Sequence, residues 1–170
     1  LHADEFETLG GTALAVELGA TSVDHLDVTP PAEIGLLAQS NTVGVVLPAV
    51  NFNLGSAHFA AARALADAGV ILALATDINP GSCPSPSMPL MMQLACLYSG
   101  LSVDESIVAA TANAAAASGF EQSCGSIEPG KRCDLLILDA CERRQLIYNL
   151  GSPPIHQLLL AGHPLQESYL

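Results

Sequence analysis

Hydrophobic and polar positions along this chain follow two alternating periods. Residues 21–26 (TSVDHL), 42–48 (TVGVVLP) and 69–76 (GVILALAT) are short runs, β-branched or continuously apolar, and read as strands buried on both faces. The opening LHADEF has the look of the end of another strand. Between these runs the apolar positions take helical spacing. Phe6, Leu9, Ala13, Val16 and Leu18 predict a helix over residues 5–18, stopped by Gly19. Ile34, Leu36 and Leu37 form the apolar face of a second helix, opened by Thr29, Pro30 and Pro31 and running to about Gln39. The Ala-rich stretch 57–68, with Arg63 and Asp67, predicts a third that Gly69 ends. A βαβαβαβ order of this kind predicts a parallel sheet with right-handed crossovers.

After the strand at Val70 the pattern changes. PLMMQLACLYS (89–99) reads as an apolar helix, and Ser102 with Glu105 three residues on forms a capping box opening a long helix to about Ser118. SIEPGKRCDLLILD (126–139) then gives a Pro-Gly turn and a short apolar strand, and QLLLAGHPL (157–165) gives another. These predict a small β appendage.

Composition narrows the classes of function. Half of the 170 residues are hydrophobic, and only five Lys and Arg stand against 17 Asp and Glu, for a formal net charge of −12. Such a chain is globular rather than disordered, and it offers no basic footprint for nucleic acid or anionic lipid. No apolar run approaches the roughly 20 residues that span a bilayer. The five cysteines are odd in number, widely spaced and lack a CxxC pair, which suits reduced thiols in a cytosolic protein.

Chemistry collects at the strand exits. Asp77 follows a buried apolar strand and precedes a loop of Asn79, Pro80, Gly81, Ser82 and Cys83, which is how α/β barrels place catalytic groups at one face. His2 with Glu5, and His25 flanked by Asp24 and Asp27, stand at two further exits. Each has a bland alternative: an Asp at a strand end often only caps a turn, and His25 taken singly reads as structural. Together, imidazole and carboxylate from separate strands are what a borderline divalent metal such as zinc takes, in a catalytic set of about three protein ligands. Only two ligand candidates are clear.

HADE at residues 2–5, DHL at 24–26, TDINPG at 76–81, TANAA at 111–115 and GSIEPGKRCDL at 125–135 together resemble the amidohydrolase superfamily. Within it they are most similar to the imidazolonepropionase family, and the resemblance extends to YNLG at 148–151. It implies an α/β fold, the C-terminal half of a (β/α)8 metallohydrolase barrel (strands five to eight) over residues 1–122. Residues 123–170 would then form the C-terminal part of a small β-sandwich. With the missing initiator Met, this reads as a piece of a longer protein. The His-x-His metal pair and substrate-gripping arginine of the family's early loops have no counterpart here.

Residue by residue, the resemblance makes His2 and Asp77 ligands of one divalent ion, zinc or iron. It sets Glu5 and His25 beside the reacting ring, although the family has Gln or Glu at the first of these positions, and makes Asn79, Gly81 and Ser82 a substrate-binding turn. Cys133 stands where the superfamily usually has Ala. The implied reaction is hydrolysis of the cyclic amide of 4-imidazolone-5-propanoate to N-formimino-L-glutamate, in histidine degradation in the cytoplasm. Asp77 would accept the proton of the attacking water, His25 would stabilise the oxyanion, and Glu5 would hold a ring nitrogen. Gly81 would leave room for substrate, and the partner is a small molecule, with a homodimeric parent enzyme as an open expectation. Two alternatives remain: another amidohydrolase, such as a deaminase or a dihydropyrimidinase-like cyclic amidase, and a non-catalytic remnant, since two ligands alone cannot hold a catalytic ion. A half barrel would also leave its outer strands with unpaired edges, and the apolar runs 43–47 and 70–75 would make the isolated chain prone to associate.

Overall fold

The computed structural model describes residues 1–165 of the chain. The predicted parallel sheet is present. Strands β1 (His2–Ala3), β2 (Ser22–His25), β3 (Val43–Val46) and β4 (Leu72–Leu74) lie side by side in chain order, every neighbouring pair parallel. The register pairs His2 with Asp24, Asp24 with Val45, and Val46 with Leu74, so the ends of all four strands line up along one edge.

Two of the three crossover helices are shorter than the spacing predicts. Helix α1 spans Gly11–Glu17 rather than residues 5–18. Asp4 and Gly10 both take left-handed φ, and Phe6 and Leu9 are largely exposed, so residues 5–10 form a loop at the β1 exit. Helix α2 (Pro31–Ala38) matches its expected bounds, with Pro30 as N-cap, although Leu36 faces outward and Ile34 and Leu37 carry the burial. Pro48, read from the sequence as the end of the β3 run, instead opens a separate helix, α3 (Pro48–Asn53), where its missing N–H is no loss. Helix α4 covers Ala62–Asp67 within the Ala-rich stretch, and Gly69 at φ 90° ends its turn.

Helix α5 (Met88–Tyr98) is capped by the Ser87 hydroxyl, which accepts from Leu90 N–H. The capping box at Ser102 and Glu105 is formed as expected, but the long helix is two: α6 (Val103–Ala110) and α7 (Ala112–Ala117), broken at Thr111. Thr111 Oγ1 donates to the Ile107 carbonyl, and the Asn113 amide turns away from its own helix to donate to the Leu72 carbonyl at the start of β4, 2.7 Å away. Intra-helical pairing is interrupted there because α7 is anchored on the sheet.

The core lies on both faces of the sheet. On one, Val23, Val46, Leu72 and Leu74 pack with Ala15, Leu37, Leu65, Met92 and Ala95 from the surrounding helices. On the other, Val43, Val45 and Ala73 meet Val50, Met91 and Leu94, with Ala114 and Ala117 of α7 against them. Gly44 is required by this packing: a Cβ there would stand 2.9 Å from the Leu26 side chain and 3.2 Å from that of Leu72.

The appendage is a separate antiparallel sheet of β5 (Leu135–Leu138), β6 (Ile155–Leu160) and β7 (His163–Pro164), in that order. Ala161 and Gly162 join β6 to β7, and both have positive φ, as the tight turns of hairpins require. A short helix that the apolar pattern does not predict, α8 (Gln145–Tyr148), sits between β5 and β6. The buried Gln93 of α5 reaches across to the segment after α8, donating to the Asn149 carbonyl and accepting from Gly151 N–H. Residues 166–170, the end of the expected β-sandwich portion, lie outside the described residues. No helix among the described residues is long and apolar enough to cross a membrane.

Candidate active site

Backbone strain marks the strand exits. Among the described residues, five non-glycine positions have positive φ, and four of them are Asp4, His25, Leu26 and Asp77, at the exits of β1, β2 and β4. A left-handed conformation costs an L-residue about 1–2 kcal/mol, so the surrounding structure must impose it. At β1, Asp4 is buried, and its Oδ2 accepts from the hydroxyls of Thr12 (2.7 Å) and Thr29 (2.9 Å), while its Oδ1 has no partner. This carboxylate holds the β1 exit against α1 and the segment leading into α2.

At β2 the strain redirects a side chain. Regular alternation would put His25 on the face of Val23, opposite His2 and Asp24. With φ at 82°, its ring lies instead 5.0 Å from the His2 ring, tilted 54° to it. His25 is only 3% exposed, and two carboxylates flank it: Glu5 Oε2 lies 3.6 Å from Nε2, and Asp27 Oδ2 lies 3.8 Å from Nδ1. Both separations are in ion-pair range but longer than a hydrogen bond, and Nδ1 has no hydrogen-bond partner. Burial works against charge on this ring, but it is outweighed by Asp27, then Glu5, and last Asp77, so the imidazole is held above its ordinary pKa. His2 is mostly exposed, with Nδ1 3.9 Å from Asp24 Oδ2.

At β4 the turn closes on itself. The Asn79 amide nitrogen donates to the Asp77 carbonyl (2.8 Å), to Asp77 Oδ2 (3.3 Å) and to Ser82 Oγ (2.9 Å). Its oxygen accepts from the N–H groups of Gly81 (2.9 Å) and Ser82 (2.7 Å). Asn79 is therefore spent on shaping the loop and holding Asp77. A Cβ on Gly81 would approach only Asn79 Oδ1, at 3.3 Å, so within this chain the glycine is set by the turn.

The structure thus brings His2, Glu5 and His25 into one cluster. Asp77 stands at the same edge of the sheet, near enough for its charge to act on His25 but forming no ion pair with either imidazole. Asn79, Gly81 and Ser82 sit together in the Asp77 turn.

The sequence profile of the amidohydrolase family matches residues 2–164. The chain belongs to the amidohydrolase family. It is 55% identical over 161 residues to imidazolonepropionase of Chloroflexus aggregans, a match covering 95% of this chain and 38% of that protein. It is 47% identical over 170 residues to imidazolonepropionase of Herpetosiphon aurantiacus, covering all of this chain and 40% of the relative. The chain therefore spans about two fifths of the length of the curated relatives it matches. Among solved structures, a zinc-bound adenosine deaminase of Xanthomonas campestris superposes with a TM-score of 0.79 at 27% identity, covering 96% of this chain and 44% of that one. A zinc-bound atrazine chlorohydrolase of Arthrobacter aurescens superposes with a TM-score of 0.77 at 20% identity, over 98% and 43%, and shares the fold. The four parallel strands and their helices are accordingly part of a TIM-barrel-like α/β fold.

For an amidohydrolase, the donor chemistry at this edge fits a divalent ion in kind but not in number. Imidazole and carboxylate are suitable ligands, yet no three His, Cys, Asp or Glu side chains among the described residues converge as a set. One residue at the site escaped the sequence reading. Asp27 was named there as a flank of His25, without a role, but Asn51 of α3, whose Nδ2 donates to Asp27 Oδ1 at 2.6 Å, was not singled out. The signal for Asn51 was Pro48: a proline at the end of a barrel strand opens a helix at the catalytic rim.

Proposed function

We propose that this chain supplies barrel strands five to eight, over residues 1–122, and the C-terminal part of a small β-sandwich, over 123–170, to an imidazolonepropionase. The reaction is hydrolytic opening of the cyclic amide of 4-imidazolone-5-propanoate to N-formimino-L-glutamate. The observation that carries this reading is the cluster of Glu5, His25 and His2 at the aligned exits of β1 and β2 in an amidohydrolase chain. Its similarity to imidazolonepropionases supports the choice of substrate.

In this reading His2 and Asp77 hold one divalent ion, zinc or iron, with the zinc-bound adenosine deaminase as support for the former, and further ligands complete the set. A bound divalent ion supplies Lewis acidity and acidifies water near neutral pH. Asp77, held by Asn79, accepts the proton of the attacking water. His25, flanked by Glu5 and Asp27, faces the carbonyl oxygen as negative charge builds on it, in a buried setting where that interaction is strong. Glu5, with more solvent access than His25, accepts from a ring nitrogen and fixes the ring against His25. Asn79 and Ser82 shape the turn that bounds the substrate's side chain.

A deaminase acting on an adenosine-like ring is the second reading, and the superposition on adenosine deaminase favours it. The test is to assay the metal-loaded, relative-length protein carrying this segment with 4-imidazolone-5-propanoate and, in parallel, with adenosine. Formation of N-formimino-L-glutamate supports the proposal; ammonia release from adenosine with no ring opening of the imidazolone overturns it.

A further inference from the structure

The exit of β3 carries no histidine or carboxylate of its own, yet the helix that follows it reaches both neighbouring exits. From α3, Asn51 donates to Asp27 beyond β2, and Asn53 Nδ2 donates 2.9 Å to the Ser82 carbonyl in the turn beyond β4. Asn51 is 6% exposed, and so is the Asp27 side chain it grips. A buried carboxylate with one oxygen held by an amide has its other oxygen fixed in direction. That second oxygen faces His25 Nδ1, which has no other partner, while Nε2 faces Glu5. Rotating the ring by half a turn would bring ring carbons to both carboxylates, so the two contacts define one orientation.

We propose that Asn51, acting through Asp27, is the positioning device that fixes the ring of His25 at the reaction centre, with α3 setting the spacing between the β2 and β4 exits. This rests on the reading of His25 as the group beside the reacting carbonyl. Neither Asn51 nor Asp27 touches substrate in this arrangement. Partners that orient a catalytic or ligating histidine from behind are worth about 10–100-fold in activity. The separation of 3.8 Å between Nδ1 and Asp27 is the length at which catalytic contacts often stand before substrate binds.

The test uses the complete metal-loaded protein with Asn51→Ala, Asp27→Asn and the double substitution, reading kcat, KM, bound metal and the 15N–1H spectrum of the histidine rings. Each single change is expected to lower kcat about 10–100-fold, leave KM and bound metal unchanged, and move the His25 Nδ1 resonance. The double variant is expected to lose no more than the more damaging single one, because both act through one ring. Asn51→Ser, which keeps a donor, is expected to recover part of the loss. Full kcat in Asn51→Ala, multiplicative losses in the double variant, or an unmoved His25 resonance would each overturn the inference. Asp27→Asn, nearly isosteric with the native residue, keeps the test open if Asn51→Ala does not fold. If the unsubstituted protein fails to open the imidazolone ring, the functional reading falls, and the His25 resonance in Asn51→Ala still decides the positioning.

Discussion

The two ends of the parallel strands differ in almost every physical respect. At the exits, Asp4, His25 and Asp77 are held in left-handed conformations, carboxylates crowd an imidazole, and two buried polar atoms, Asp4 Oδ1 and His25 Nδ1, have no partner. At the starts, Gly44 fits between Leu26, Leu72 and Val70, the Asn113 amide meets the Leu72 carbonyl, and alanines of α7 fill the space against β3 and β4. The exits therefore hold the strain and two of the three buried unpartnered side-chain atoms among the described residues, the third being Ser99 Oγ at the end of α5. Barrels of this kind commonly serve stability at their strand starts and chemistry at their strand exits, and the proposed function assigns these strands the same division.

Substitutions test that division most sharply at the exits. In the complete metal-loaded protein, Asp77→Asn is expected to lower turnover by about 10²-fold or more and to reduce bound metal, since it removes a proposed ligand and proton acceptor together. Steady-state kinetics with metal analysis checks both. His25→Ala is expected to cost about 10²-fold in kcat, the range for losing one oxyanion donor, with metal content kept. Release of the ion from that variant would move His25 into the ligand set and redraw the roles.

At the other end the readout should invert. Asn113→Ala leaves a strand-start carbonyl without its donor, and is expected to cost about 1–2 kcal/mol in chemical unfolding while kcat stays unchanged. A loss of turnover without a loss of stability would break the comparison. The smallest effect is expected at Glu105, which Arg63 foremost, with the Ser102 N–H and hydroxyl, holds down to about 2 from an ordinary 4.5. A carboxyl depressed in the folded state adds stability that is complete above its unfolded value and fades as pH falls toward its folded one. The melting-temperature gap between the native protein and Glu105→Gln should thus shrink as pH is lowered from 4.5 toward about 2, by only a small amount because the pair is exposed.

The sheet was legible because β3 and β4 are apolar on both faces, a pattern that only a doubly covered parallel strand needs. Helix bounds were less so. Phe6 and Leu9 have helical spacing but face outward, since the strained exit at Asp4 must be followed by a loop before α1 can begin. The break at Thr111 was hidden because the alanine-rich run 109–117 and the capping box ahead of it favour one continuous helix, whereas the tertiary contact of Asn113 with β4 divides it. At the site, His2, Glu5, His25 and Asp77 could be singled out by motif. Asp27 stands two residues from His25 and was legible beside it, but Asn51 reaches Asp27 from α3, across 24 residues of sequence, and no local spacing encodes that.

Gln93 gives the appendage a mechanical identity. Its buried amide grips the chain at Asn149 and Gly151, across more than 50 residues of sequence, just ahead of β6. Tension applied to the end of the chain would therefore peel β7 and β6 before it reached this clasp.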